Sequence, residues 1–174
     1  RSLELRANVS WLEDARQAPY FGAQGVGLFR IEPLFQAPHR LPLFQKVLRQ
    51  ICYEKLATAP EYEQITEEVS REVAALLGTT SGPFTVRLLD APLSQMLGYW
   101  RDSGDLPDGY FAGEMSAWLE ELNPMQGLRC GRLSLLFPKL MEIQLRALLR
   151  GWKGGPGRLQ VMLPGVCAAE ELRI

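Results

Sequence analysis

Apolar and polar residues recur along this chain with two different periods, and the period changes at glycine and proline. Leu3 to Val9 alternates with a period of two and predicts a short strand. Ser10 stands as N-cap to a helix carrying Trp11, Ala15 and Ala18, which Pro19 ends or kinks. Gly22 and Gly25 mark the turn into a second strand, Val26 to Phe29. A strand–helix–strand unit of about 30 residues is the size of a parallel crossover.

The same alternation continues. Pro33 to Pro42 holds three prolines and reads as a loop, and Leu43 to Leu56 reads as a helix. From Glu61 to Leu77 a helix is predicted by Ile65, Val69 and Val73, with Leu76 and Leu77 extending the stripe and Gly78 as its stop. Phe84 to Leu89 is a third strand, apolar enough to predict burial on both faces. Residues 90–123 break the rhythm as a glycine-rich insertion with a short helix near Glu114 to Glu121. Pro138 opens a helix to Arg150 with Leu140, Ile143 and Ala147 on one face. A glycine-rich turn from Gly151 to Gly157 precedes a fourth strand, Leu159 to Leu163, and Ala168 to Leu172 starts a further helix. The fold class is therefore α/β: a single domain over 1–174, built of about four βα units on a parallel sheet. That is half of an eight-stranded barrel, or else a four-stranded open sheet.

Composition adds mostly exclusions. The 174 residues are 47% hydrophobic and 22% charged, enough for a real core. A net charge of −1 provides no whole-chain attraction to nucleic acid or to an anionic membrane, so an anion site has to be local. No apolar run reaches the roughly 18 residues of a membrane span. Cys52, Cys130 and Cys167 lack metal-ligand spacing and read as reduced thiols of a cytoplasmic protein. The single His39 excludes a histidine-rich metal centre. The chain opens on Arg1 without a methionine and reads as a trimmed chain.

The candidate chemistry lies in three arginine-bearing segments. Arg30 follows the strand Val26 to Phe29, Arg87 sits within Phe84 to Asp90, and Arg129 lies in Asn123 to Arg132. A guanidinium is permanently charged and grips phosphate or carboxylate with a planar fork. In a parallel barrel such residues at C-terminal strand ends face the active site. Glu32 and Asp90 are placed to orient Arg30 and Arg87, and Asn123 opens the third turn. The alternative for each arginine is a structural salt bridge or a surface charge. Gly22, Gly25 and Gly27 precede their strand, so they do not form a dinucleotide fingerprint, whose glycines follow a strand and open a helix.

Together these segments resemble the phosphoenolpyruvate-binding barrel of the phosphoenolpyruvate-utilising enzymes, with wording nearest the pyruvate phosphate dikinases. The likeness runs from Leu5-Arg6-Ala7-Asn8 through Arg87-Leu88-Leu89-Asp90-Ala91-Pro92-Leu93 and Asn123-Pro124-Met125-Gln126-Gly127-Leu128-Arg129 to Val161-Met162-Leu163-Pro164. It implies a partial (βα)8 TIM barrel and a phosphotransferase that moves a phosphoryl group between phosphoenolpyruvate and a histidine on a separate domain. It further implies that Arg30, Arg87 and Arg129 bind the phosphate and act in transfer, with Asn8 on the first strand as a further substrate contact. Mg²⁺ is implied for the complete enzyme, its ligands lying on later strands and none in this chain. The implied partners are phosphoenolpyruvate or pyruvate and the rest of the enzyme chain, and no activity is expected from this fragment alone. Where the family usually has threonine, this chain has Ile31, and a hydroxyl able to help bind phosphate is missing there. The contrasting reading is a degenerate stand-alone half-barrel, an anion-binding or protein-interaction module, whose open sheet edge implies a homodimer.

Overall fold

The computed structural model describes residues 3–54, 60–96, 122–123, 125, 127–153, 155 and 157–172. Four strands, β1 (Ala7–Val9), β2 (Val26–Arg30), β3 (Phe84–Arg87) and β4 (Leu159–Met162), form one sheet. Every pairing is parallel and the spatial order is β1-β2-β3-β4. In a parallel sheet of consecutive order, crossovers of the usual right hand put the described connecting helices on one side. Those helices are α1 (Leu12–Gln17), α2 (Glu32–Gln36), α3 (Leu41–Arg49), α4 (Pro60–Leu77), α5 (Cys130–Leu136) and α6 (Pro138–Trp152). The chain is thus a mixed α/β fold, and its strand order is consistent with part of a barrel.

The core lies between sheet and helices. Val26, Phe29, Phe84 and Val86 are buried from the sheet side, and the α4 stripe Ile65, Val69, Val73, Leu76 and Leu77 is buried throughout. Leu140, Ile143 and Ala147 of α6 complete the layer, as their spacing predicts. α4 and α6 make the most extensive helix–helix contact among the described elements. Gly151 permits their approach, because a Cβ there would lie 2.6 Å from Ser70 O and 2.6 Å from Val73 Cγ1.

The opposite face of the sheet is polar. Thr85 and Arg87 of β3 are only partly buried, so burial of β3 on both faces is not what the structure shows; Phe84 and Val86 alone meet the core. Thr85 Oγ1 and Arg6 Nη1 both donate to Gln160 Oε1 on β4, at 3.0 and 2.8 Å. In a flat sheet the outer strands would stand about 14 Å apart, three strand spacings of about 4.8 Å. The long side chains of Arg6, beside β1, and Gln160, on β4, meet across β2 and β3 on this face.

One irregularity aligns the strand ends. Val26 pairs with Phe84 but Phe29 with Val86, so Gly27 and Leu28 together oppose Thr85 alone. β1 shows the same shift, with Ala7 opposite Val26 and Asn8 opposite Leu28. This bulge in β2 turns Phe29 into the core and sets Arg30 directly beside Arg87.

Several boundaries differ from the sequence expectations. β1 starts at Ala7 rather than Leu3, β3 ends at Arg87 rather than Leu89, and β4 ends at Met162. α1 starts at Leu12, and its first turn is closed by Asp14, whose Oδ2 accepts the amides of Ser10 and Trp11 at 3.0 Å each; the side chain of Ser10 is not the cap. The predicted loop Pro33 to Pro42 is largely helical. Pro33 and Pro42 occupy first turns of α2 and α3, where a missing N–H costs nothing. α3 therefore starts before Leu43 and gives way to a π-turn at Gln50–Glu54; the predicted end at Leu56 lies outside the described residues. α6 runs to Trp152, past the predicted end at Arg150. Ala169–Leu172 forms a 3₁₀ turn rather than the start of an α-helix. α5 was not anticipated, since Gly131 inside it and Pro138 close after it hide its period. The helix expected near Glu114 to Glu121 lies outside the described residues, as does most of the 90–123 insertion.

Arg40 joins three of these helices and is only 3% exposed. It donates to Leu34 O at the end of α2, to Glu68 Oε2 at 3.2 Å and to Glu72 Oε1, the last two on α4. Arg40→Ala is expected to lower unfolding free energy by about 2–3 kcal/mol, because it strands a carbonyl and unpairs two carboxylates. Urea unfolding midpoints of the two proteins check this.

Candidate anion site at the strand ends

Parallel strands end at the same edge of the sheet, and three of the chemistry-bearing side chains leave from there. Asn8 is the middle residue of β1, Arg30 the last of β2 and Arg87 the last of β3. Glu32 opens α2 directly after β2, and Asp90 lies three residues beyond β3. Arg129 precedes α5 in an extended conformation, at the return of the insertion to the sheet.

Arg30 Nη1 donates to Asn8 Oδ1 at 3.1 Å. Arg87 is held from two sides, by Glu32 Oε1 at 2.9 Å and by Asp90 Oδ2 at 3.0 Å. Glu32 Oε1 also accepts the amide of Asp90 at 3.0 Å, which ties the segment after β3 to the start of α2. Arg129 reaches the other oxygen of Asp90, with Nε at 3.2 Å and Nη2 at 2.9 Å, and Nη2 also donates to Asp90 O at 2.5 Å. Asp90 therefore bridges two arginines. Formally, three arginines against two carboxylates leave the cluster one positive charge in excess.

The electrostatics follow from these contacts. Burial pushes the Asp90 carboxyl up, but hydrogen bonds from Cys130 and Arg129, with the charges of Arg129 and Arg87, hold it below the usual aspartate range. Burial pulls Arg129 down, and its bonds to Cys130 and Asp90 outweigh that and raise it. Two polar atoms in the cluster are buried without a hydrogen-bond partner, Arg87 Nε and Glu32 Oε2. A buried donor left unmade is costly unless a ligand or water meets it. Arg87 Nε is a donor suited to an anion's oxygen.

Among the predicted residues, Asn8 meets Arg30, and Glu32, Asp90, Arg87 and Arg129 form one network. Glu32 orients Arg87 rather than Arg30. Asn123 stands apart: it is exposed and its Oδ1 accepts the Met125 amide at 3.2 Å, shaping the turn. Arg132 Nε donates to Gly127 O at 3.0 Å within the same turn. Ile31 is fully buried in the core cluster, so its side chain does not line the arginines. Sequence reading missed Cys130, whose Sγ donates to Asp90 Oδ1; no spacing rule marks a thiol beside a distant aspartate.

The donor set does not fit Mg²⁺. Among the described residues no group of three or more His, Cys, Asp or Glu is placed to hold a metal ion. Both carboxylates at the strand ends are already engaged by guanidinium groups. The arrangement gathers three guanidinium groups around two carboxylates at one edge of the sheet.

Comparison with known proteins gives the family. The family model described as PEP-utilising enzyme, PEP-binding domain matches residues 1–174. A pyruvate, phosphate dikinase of Entamoeba histolytica is 31% identical over 192 residues, covering 99% of this chain and 21% of the relative. The chloroplastic pyruvate, phosphate dikinase of Flaveria trinervia is 32% identical over 196 residues, covering 99% of this chain and 20% of its own length. That of Giardia intestinalis is 27% identical, covering all of this chain and 21% of the relative. The chain thus spans about one fifth of the length of these curated relatives. A match along the whole chain, on a parallel sheet whose strand ends gather arginines, places this chain in the PEP-binding domain family of the PEP-utilising enzymes.

Proposed function

We propose that this chain supplies the phosphate-binding side of a phosphoenolpyruvate/pyruvate site in a dikinase-like phosphotransferase, as the first part of a (βα)8 barrel. The observation that carries the reading is the convergence of Arg30, Arg87 and Arg129 at one edge of the parallel sheet. The reaction would pass a phosphoryl group between phosphoenolpyruvate and a histidine on another domain. Such transfer demands positioning and neutralisation of spreading charge more than covalent chemistry from the protein. Arg30, whose described partner is a neutral amide, is the readiest fork for the phosphate. Arg87 would present its unpartnered Nε, and Arg129 would close from the α5 side.

Charge balance supports a larger site than this chain contains. Phosphoenolpyruvate carries about three negative charges near neutral pH, from its phosphate and carboxylate. The cluster offers one net positive charge, so other cationic groups of the complete enzyme must share the load. The open β4 edge is in keeping with this, since Val161, Met162 and Leu163 are each more than a third exposed. In this reading the remaining enzyme chain covers that edge. A homodimer is the arrangement expected of the stand-alone module instead.

Arg30→Ala in the full native polypeptide is expected to weaken phosphoenolpyruvate binding by roughly 10- to 100-fold, the scale of losing a charge-assisted bidentate contact. Isothermal titration calorimetry reads this, and unchanged affinity would overturn the site. Asp90 provides a pH test. Its folded pKa is depressed, so the stability it contributes is complete above the ordinary aspartate value of about 3.9. That contribution is lost as pH falls through the lower folded value. The stability gap between the unsubstituted protein and Asp90→Asn is therefore expected to shrink as pH is lowered from 6 toward 3, followed by urea unfolding at each pH.

A further inference from the structure

Asp90 Oδ1 receives three donors, Nε and Nη2 of Arg129 and Sγ of Cys130. A carboxylate oxygen has two lone-pair directions, so these donors share them. Oδ2 is occupied by Arg87. The other Arg129 contacts are also within the protein, Nη2 on Asp90 O and Nη1 at 2.8 Å from Met125 Sδ. The guanidinium proposed to close on an anion is thus turned inward. To present its fork outward it must release Asp90 Oδ1, and a charged, mostly buried oxygen left without a donor is costly.

Cys130 is the donor already in place. Burial, with Asp90 beside it, pushes its thiol up to about 11, so the S–H keeps its proton near neutral pH. The residue occupies an unusual backbone position, with φ of +54°, a region that costs an L side chain energy and glycine little. The loop after β4 confines the thiol as well: a Cβ on Gly165 would lie 2.8 Å from Cys130 Sγ. A side chain is kept where glycine would fit the backbone better, and its polar atom is aimed at the bridging carboxylate.

We propose that Cys130 is a positioning residue for the anion site: its S–H holds Asp90 Oδ1 when Arg129 swings onto a bound phosphate, and so governs how readily Arg129 is released. Cys130 acts through Asp90 and touches no ligand. The proposal rests on the anion-binding reading above.

The test is titration of phosphoenolpyruvate, and separately of inorganic phosphate, into the full native polypeptide and its variants Cys130→Ala, Cys130→Gly and Cys130→Ser, with urea unfolding of each. Cys130→Ala and Cys130→Gly are expected to bind roughly fivefold more weakly, the scale of one hydrogen bond. Cys130→Ser keeps a donor and is expected to retain affinity. Cys130→Gly is expected to be at least as stable as the unsubstituted protein while binding less well, a divergence that a packing role would not produce. Equal affinity in all four proteins, a Ser variant as weak as the Ala variant, or affinity losses that simply follow losses of stability would each overturn the proposal. Failure of the unsubstituted polypeptide to bind either ligand would instead overturn the anion site itself, and this proposal with it.

Discussion

A guanidinium withdrawn from water has to keep an anion within reach, and at the strand ends of this fold that anion is Asp90. Its two oxygens hold Arg87 and Arg129, which come from segments some 40 residues apart. Through its backbone amide Asp90 is also bonded to Glu32, the first residue after Arg30 and Ile31. One carboxylate therefore couples the ends of β2 and β3 to the entry of α5. The positive groups are held close together without collapsing onto the core or repelling one another apart.

The sheet has to satisfy two opposite demands. Its helix face is sealed by Phe29, Phe84 and Val86 against α4 and α6. Its other face carries Arg6, Thr85 and Gln160, joined by hydrogen bonds, with Arg30 and Arg87 above them. A regular β2 would alternate Val26, Leu28 and Arg30 on one side and leave Phe29 on the polar face. The extra residue at Gly27–Leu28 reverses that parity once, so Phe29 is buried and Arg30 stands beside Arg87. The bulge thus reconciles a continuous apolar layer with a cationic rim.

Much of this was legible in the chain. The i, i+4 stripe of α4 and the apolar face of α6 need only their own period to declare a buried side, and both are buried. The first strand announces itself by alternation and the other three by short apolar runs that follow glycine or proline. The arginines at their ends are legible because a charge after an apolar run stands out. The loop reading of Pro33 to Pro42 failed because proline breaks a helix interior but suits a first turn, and local sequence does not say which position it takes. The assignment of Glu32 to Arg30 failed for a similar reason. Proximity along the chain favoured Arg30, whereas the register of β2 and β3 placed Glu32 against Arg87.

By itself the sequence determined the four strands, the long helices α4 and α6 with the apolar faces that bury them, and the identity of the three arginines, because each rests on local period or on residue chemistry. Which side chains meet was decided by the tertiary structure alone. The bulge at Gly27, the bond from Asp90 to Arg129, the reach of Arg6 to Gln160 and the thiol of Cys130 on Asp90 all join residues far apart in sequence. Their pairing depends on strand register, which is a property of several segments packed together and is encoded in no single one of them.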